Sequence, residues 1–175
     1  MTDNSAFEGM FARALKPTGQ FLEELKAVGY DPAKPQIRYP SSVWSASLEV
    51  ARRHCFASLA RDEGMRALGR RFVEGWFETI AGRFMAAAMP LVGTAGVINR
   101  LPRYWATVRK DTKVEVHRED ERRWRIVYRD AHLNPEFCAG IIQAAGKHTK
   151  STHDVQLDVK IPVRTAEGFE LLVTY

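Results

Sequence analysis

Cysteine and histidine are both scarce. Cys55 and Cys138 are the only thiols in 175 residues, and they lie far apart with no Cys-x-x-Cys or Cys/His spacing around them. That removes the usual sequence support for a zinc site, thioredoxin-type redox chemistry or a secreted disulfide scaffold. The five histidines, His54, His117, His132, His148 and His153, never fall at i, i+3 or i+4. No metal site is expected of them, because ligand sets show shorter spacings. GxSxG, P-loop, HExxH and GxGxxG motifs are all missing, so the enzyme classes built on those mechanics have no foothold and the chain reads as more a binder than an enzyme. Long uninterrupted apolar runs are missing too. The longest, residues 80–98, is broken by Arg83, Pro90 and three glycines, and no basic, apolar leader opens the chain. Neither a membrane span nor a signal peptide is expected, and a cytoplasmic chain is the default. No internal repeat or low-complexity segment occurs.

Aromatic residues are plentiful: four Trp, nine Phe and five Tyr supply material for a core. A chain of this length is one domain's worth and buries roughly 70% of its unfolded surface without staples. The formal charge is +5. Between Arg100 and Asp130 it is denser, with ten Lys/Arg (100, 103, 109, 110, 113, 118, 122, 123, 125, 129) against six Asp/Glu (111, 115, 119, 120, 121, 130). The signs interleave, which reads as a solvated surface; no nucleic-acid partner is expected, because acids at this spacing repel phosphate.

The periodicity changes along the chain. Apolar residues recur at three- and four-residue spacing in Phe7–Leu15, Phe21–Val28 and Val43–Ala51, which predicts helices, the third capped by Ser41 or Ser42. A longer helix is expected from an Asp62 cap to about Met89, ended by Pro90, with a short helix after Gly93. From Thr112 the period becomes two. Val114 and Val116, then Trp124, Ile126 and Tyr128, predict a hairpin about the charged turn 119–122. Asn134-Pro135-Glu136 combines a cap, a first-turn proline and an acid, and opens a helix that Gly146 can close. Val155, Leu157, Val159, Ile161 and Val163 alternate through a strand over 154–163, and 169–175 makes a last one. The expected fold is α+β in one domain, 1–175: a helical layer over about 1–110, then a β-β-α-β-β antiparallel unit over about 111–175.

Two constellations stand out. Gly75, Thr79, Gly82 and Ala86 fall at i, i+4, i+7 and i+11, a small-residue stripe on one helix that implies a close neighbour. Tyr128, Asp130 and His132 alternate at the end of the second hairpin strand and would share one face while the strand stays extended. Polar groups ending an apolar face need water, backbone or a ligand head group.

The segment Leu68-Gly69-Arg70 through Gly82-Arg83, Tyr39-Pro40 with Trp44, and Phe137 with Gly140 resemble a domain-of-unknown-function family expanded as paralogues in myxobacteria, whose members have no assigned activity. More distantly, helices followed by β-β-α-β-β resemble the heme-sensor/Bet3-like fold shared by heme-nitric oxide/oxygen binding domains, vinyl-reductase-type sensors and Bet3-like tethering subunits. That resemblance implies a pocket for a small molecule or acyl chain between helices and sheet. The stretch from Gly96 to Trp105 is similar to the one carrying the heme sensors' proximal histidine, but Trp105 stands at the ligand position, and an indole cannot ligate iron. Tyr128-Arg129-Asp130-Ala131-His132 falls where that family has Tyr-x-Ser-x-Arg; Tyr128 is kept, while Asp130 and His132 replace serine and arginine.

The resulting expectation is a non-catalytic sensory or ligand-binding domain, with no cofactor, for an unidentified small apolar or amphipathic molecule that is not heme held in the family manner. Phe72, Trp76, Trp105 and Phe137 would form apolar walls, and Tyr128, Asp130 and His132 would orient a polar group. The alternative is a homodimeric interaction module with a filled core, docking through the small-residue stripe or a strand edge to itself or to a signalling protein.

Overall fold

A computed structural model describes residues 1–149 and 156–175. The chain begins with a two-residue strand, β1 (Thr2–Asp3), and a short helix, α1 (Asn4–Phe7), that widens into a π-helical segment (Glu8–Leu15). Helix α2 (Gly19–Ala27), strand β2 (Arg38–Tyr39) paired with β1, and helices α3 (Ser41–Cys55), α4 (Arg61–Phe77) and α5 (Ile80–Val108) follow. The sheet unit is β3 (Lys113–Arg118), β4 (Arg123–Arg129), α6 (Pro135–Gly146), β5 (Asp158–Arg164) and β6 (Gly168–Thr174). Its four strands are antiparallel in the order β3-β4-β6-β5. The architecture is the expected α+β arrangement of helices followed by β-β-α-β-β.

Helix α6 joins two cores. Phe137 packs with Phe7, Met10, Phe11, Trp44, Leu48 and Leu68 in the helical core, while Cys138, Ala139 and Ile142 pack on the sheet. One sheet face supplies the second core through three directly opposed, buried pairs: Trp124–Val173, Ile126–Leu171 and Tyr128–Phe169. The period-two pattern produces this, because alternate residues of paired strands meet on the same face. Asn134 caps α6 as its sequence implies, its Oδ1 accepting from Phe137 N at 3.0 Å.

The structure departs from expectation where neighbours outweigh local pattern. Neither Ser41 nor Ser42 caps α3; the cap position is Pro40, and Ser41 is buried with its hydroxyl donating to Asp111 at 2.6 Å. Asp62 sits in the first turn of α4 instead of capping it. The helix expected over 62–89 is two helices. Thr79 has extended backbone, donates its hydroxyl to Trp76 O at 2.7 Å and accepts from Gly82 N at 3.1 Å, ending α4 and capping α5. Pro90 lies within α5; the break comes at Gly93, whose φ of 65° is left-handed. Helix α5 is long and apolar enough to cross a membrane by length and composition alone, but its second segment contributes to the core, with Val97, Ile98 and Leu101 buried. Leu157, just before β5, and Val159 within it are buried as the alternation implies, whereas a register shift between Lys160 and Val163 leaves Val163 exposed. Pro162 cannot donate to a ladder and sits on an edge strand, where such irregularities concentrate. Val155 and the start of the expected strand lie outside the described residues.

Candidate functional site

Aromatic residues from three helices leave a gap between the two cores. Phe72 and Trp76 of α4, Met85 and Met89 of the first segment of α5, Trp105 of its second segment and Phe137 of α6 line a cavity of about 110 Å³. Its aromatic wall is continuous: Phe72 lies 6.5 Å from Trp76 and 5.6 Å from Phe137, centroid to centroid. Trp105 stands edge-on to Tyr128 at 5.5 Å. The outward side of the first segment of α5 is also apolar, with Ile80, Phe84 and Leu91 largely exposed. The four apolar residues singled out from the sequence, Phe72, Trp76, Trp105 and Phe137, therefore meet at one cavity.

The three polar ones do not line it. Tyr128 is buried in the sheet core, stacked on Phe169 at 4.8 Å, and its hydroxyl has no partner among the described residues. Burial drives that phenol well above its ordinary pKa. Asp130 turns away to a buried ion pair, its Oδ2 accepting from Arg109 Nη2 at 2.6 Å and from the Thr112 hydroxyl, its Oδ1 from His132 N at 2.8 Å. The His132 ring is exposed; besides that N–H, its carbonyl is engaged, accepting from Ser45 Oγ at 2.6 Å. β4 ends at Arg129, so the extended geometry that would align all three stops before Asp130. Tyr128→Phe is expected to leave stability unchanged or raise it slightly, because it deletes an unsatisfied hydroxyl, and His132→Ala to stay within about 0.5 kcal/mol. Paired urea titrations check both.

Arg109 and Asp130 were both part of the interleaved charge expected at the surface. Instead their side chains are 1% and 4% exposed. Arg109 follows Trp105 by one helical turn, its N–H closing on Trp105 O at 2.7 Å, and it forms part of the cavity wall beyond that indole. Asp111 lies beside it, 3.9 Å from Nε. Burial opposes ionisation of Asp111, yet hydrogen bonds from the N-terminal amine and Ser41 hold its carboxyl down at about 2.

The small-residue stripe does not exist as one stripe, because the break at Thr79 divides it between two helices. Gly75 belongs to α4 and faces the π-helical segment, where a Cβ would come 2.2 Å from Gly9 O. Thr79 is the cap described above, and Gly82 packs on the end of α4, at Trp76 and Phe77. Ala86 lies on α5 beyond them. Gly75→Leu is expected to cost about 1–3 kcal/mol through overpacking; a melting temperature at or above the parent's would refute the close approach. Another close approach, unread in the sequence as a contact, is the crossing of α4 and α6, where Gly69 faces Phe137 O and Gly140 faces Arg66 O.

No group of three or more His, Cys, Asp or Glu placed to hold a metal occurs among the described residues. Cys138 is buried, and burial drives its thiol pKa up, away from the reactive range. A comparison with protein families matches residues 1–168, nearly the whole chain, including Gly69, Gly140 and every cavity residue named above. The chain belongs to DUF2378. That family is described as of unknown function. The sequence has no match among curated proteins. The fold of this DUF2378 chain is similar to that of solved H-NOX domains. One neighbour, from work on modulating heme redox potential through protein-induced porphyrin distortion, superposes with a TM-score of 0.69 at 11% identity, covering 100% of both chains. The iron(II) unliganded H-NOX protein from K. algicida gives 0.64 at 10% identity, covering 99% of this chain and 96% of that one. An oxygen-binding H-NOX domain related to soluble guanylate cyclases gives 0.62 at 13%, covering 87% and 82%. At these identities the likeness shows the fold.

Proposed function

We propose that this DUF2378 chain is a non-catalytic, cytoplasmic sensory or ligand-binding domain whose cavity takes a small apolar or amphipathic molecule, and that this molecule is not heme held through histidine. The carrying observation is the apolar cavity walled by Phe72, Trp76, Trp105 and Phe137. Protein interiors are close-packed, so a gap lined by large aromatics is a feature of the sequence that a better-filled core would lack. One neighbour is described through its heme redox potential and another as an iron(II) protein, which makes heme the group to test against these residues. The fit is poor. Trp105 lines the cavity where the sequence resemblance puts the heme ligand, and no histidine among the described residues lines it. His54 is stacked on Phe21, His117 and His132 are exposed on other elements, and His148 lies edge-on to Phe77, which lines the cavity, without lining it itself. The carboxylate of Asp130 is bound to Arg109.

Tryptophan fluorescence tests the reading, since Trp44, Trp76 and Trp105 all border the cavity. Ethylbenzene is expected to bind saturably at one site, and Ala145→Leu, which fills the cavity from α6, to weaken it at least tenfold while the fold is kept. No saturable change, or no effect of the filling variant, would sink the proposal. With hemin, no stoichiometric Soret band of histidine-ligated character is expected; a tight one-to-one complex abolished by changing one histidine would reverse the heme clause.

A homodimer is the second reading, favoured by the exposed apolar face of Ile80, Phe84 and Leu91 on α5. A second copy carries the same face and is the partner the sequence itself supplies. Sedimentation velocity should then show a dimer that Phe84→Gln with Leu91→Gln converts to monomer; a monomer throughout the micromolar range removes this reading.

A further inference from the structure

Three residues that line the cavity each carry a buried hydrogen-bonding atom with no partner among the described residues: Thr2 (Oγ1), Arg109 (Nη1) and Trp76 (Nε1). Buried polar groups are rarely left so. Two of them belong together. Thr2 and Arg109 oppose each other across an antiparallel bridge, so their side chains leave the backbone on the same side. Thr2 is fully buried and Arg109 is 1% exposed. The other guanidinium nitrogens are committed, Nε to Thr112 Oγ1 at 3.0 Å and Nη2 to Asp130 Oδ2 at 2.6 Å.

We propose that the cavity's ligand is an uncharged, single-ring-sized apolar molecule with an acceptor oxygen, such as a carbonyl, at one end, seated on Thr2 Oγ1 and Arg109 Nη1. This rests on the reading of the cavity as a ligand site and names the chemistry of its ligand. A guanidinium only donates, and the threonine hydroxyl beside it can donate too, so the complementary group must accept. Charge argues against a carboxylate in that place. Arg109 is already neutralised by Asp130, and Asp111, 3.9 Å from Nε, by the N-terminal amine at 2.6 Å, so the two acids and two cations balance and an incoming anion would meet no net positive charge. The body of the ligand follows from the rest of the wall, where Trp105 and Val108 precede Arg109 on α5. Its size follows from the volume: about 110 Å³ approaches the roughly 150 Å³ of a dry engineered cavity that admits benzene.

Three probes of one shape test this: ethylbenzene, acetophenone and benzoate, titrated against the full chain, Thr2→Val and Trp76→Phe. In the parent, acetophenone is expected to bind at least tenfold more tightly than ethylbenzene and more tightly than benzoate. Thr2→Val should cut that advantage severalfold while leaving ethylbenzene unchanged. Arg109→Lys, checked for its fold by circular dichroism, supplies a second variant in which Nη1 is gone. Ethylbenzene binding with no acetophenone advantage would overturn the inference and leave the cavity reading standing. Binding of no probe would overturn both. Benzoate as the tightest ligand would overturn the uncharged head group, and an advantage lost in Trp76→Phe but kept in Thr2→Val would overturn the seat at Thr2 and Arg109.

Discussion

Asp130→Ala is expected to destabilise the protein by about 3–5 kcal/mol, a large share of what a domain this size has. The loss exceeds that of an ordinary ion pair because it strands the guanidinium of Arg109, 1% exposed, without the carboxylate 2.6 Å away. Asp130 also accepts from the Thr112 hydroxyl and the His132 N–H, so the turn that leads from β4 to α6 loosens with it. An exposed pair would contribute only about 0–1 kcal/mol. The measurement is a double-mutant cycle in urea with Arg109→Met and Asp130→Leu. Each single variant leaves a buried charge or acceptor unpaired, whereas the double variant removes both, so the pair should cost clearly less than the sum. Additive costs, or an Asp130→Ala variant within about 0.5 kcal/mol of the parent, would show that the cluster is hydrated.

Gly140→Val is expected to be of similar severity. A Cβ there would lie 2.1 Å from Arg66 O, and one at Gly69 would lie 2.0 Å from Phe137 O. Both obstacles are backbone, so no rotamer change relieves them; α4 and α6 must move apart. Alanine at either position should already cost about 1–3 kcal/mol from overpacking, against a helix-propensity gain of about 1 kcal/mol. Valine adds bulk at the same crossing. Because both glycines serve one crossing, the second alanine should cost less than the first. Phe137 borders the cavity, so ethylbenzene affinity should shift in whichever variants remain folded. Melting temperatures equal to the parent's in both alanine variants would mean the helices are not in backbone contact.

Much of the fold was legible because its cues are local. Trp124, Ile126 and Tyr128 alternate at the spacing a half-buried strand requires, and the sheet buries all three. Asn134-Pro135-Glu136 completes a helix start within three residues, and α6 begins there. The apolar part of the candidate site was legible for a weaker reason: large aromatics on helices must be buried somewhere, and Phe72, Trp76, Trp105 and Phe137 are drawn to the junction of the two cores. The polar part was not. Nothing within a few residues of Asp130 distinguishes an acid that pairs with Arg109, 21 positions earlier, from the acids of the charged turn beside it. β1 and β2 were missed because two-residue strands carry no period.

The sequence by itself determined the elements whose signals lie within a turn or a strand: the change of period near Thr112, the hairpin, the cap of α6 and the alternation into β6. Tertiary structure alone decided the end of α4 at Thr79, the burial of Arg109 against Asp130, and the meeting of Gly69 with Gly140. It also decided which aromatics border a cavity and which fill a core. The physical reason is range. A cap or an alternating face is fixed by groups two to four residues apart, whereas burial of a charge or the approach of two backbones depends on which distant surface arrives, and that is set by the packing of α4, α5 and the sheet about α6.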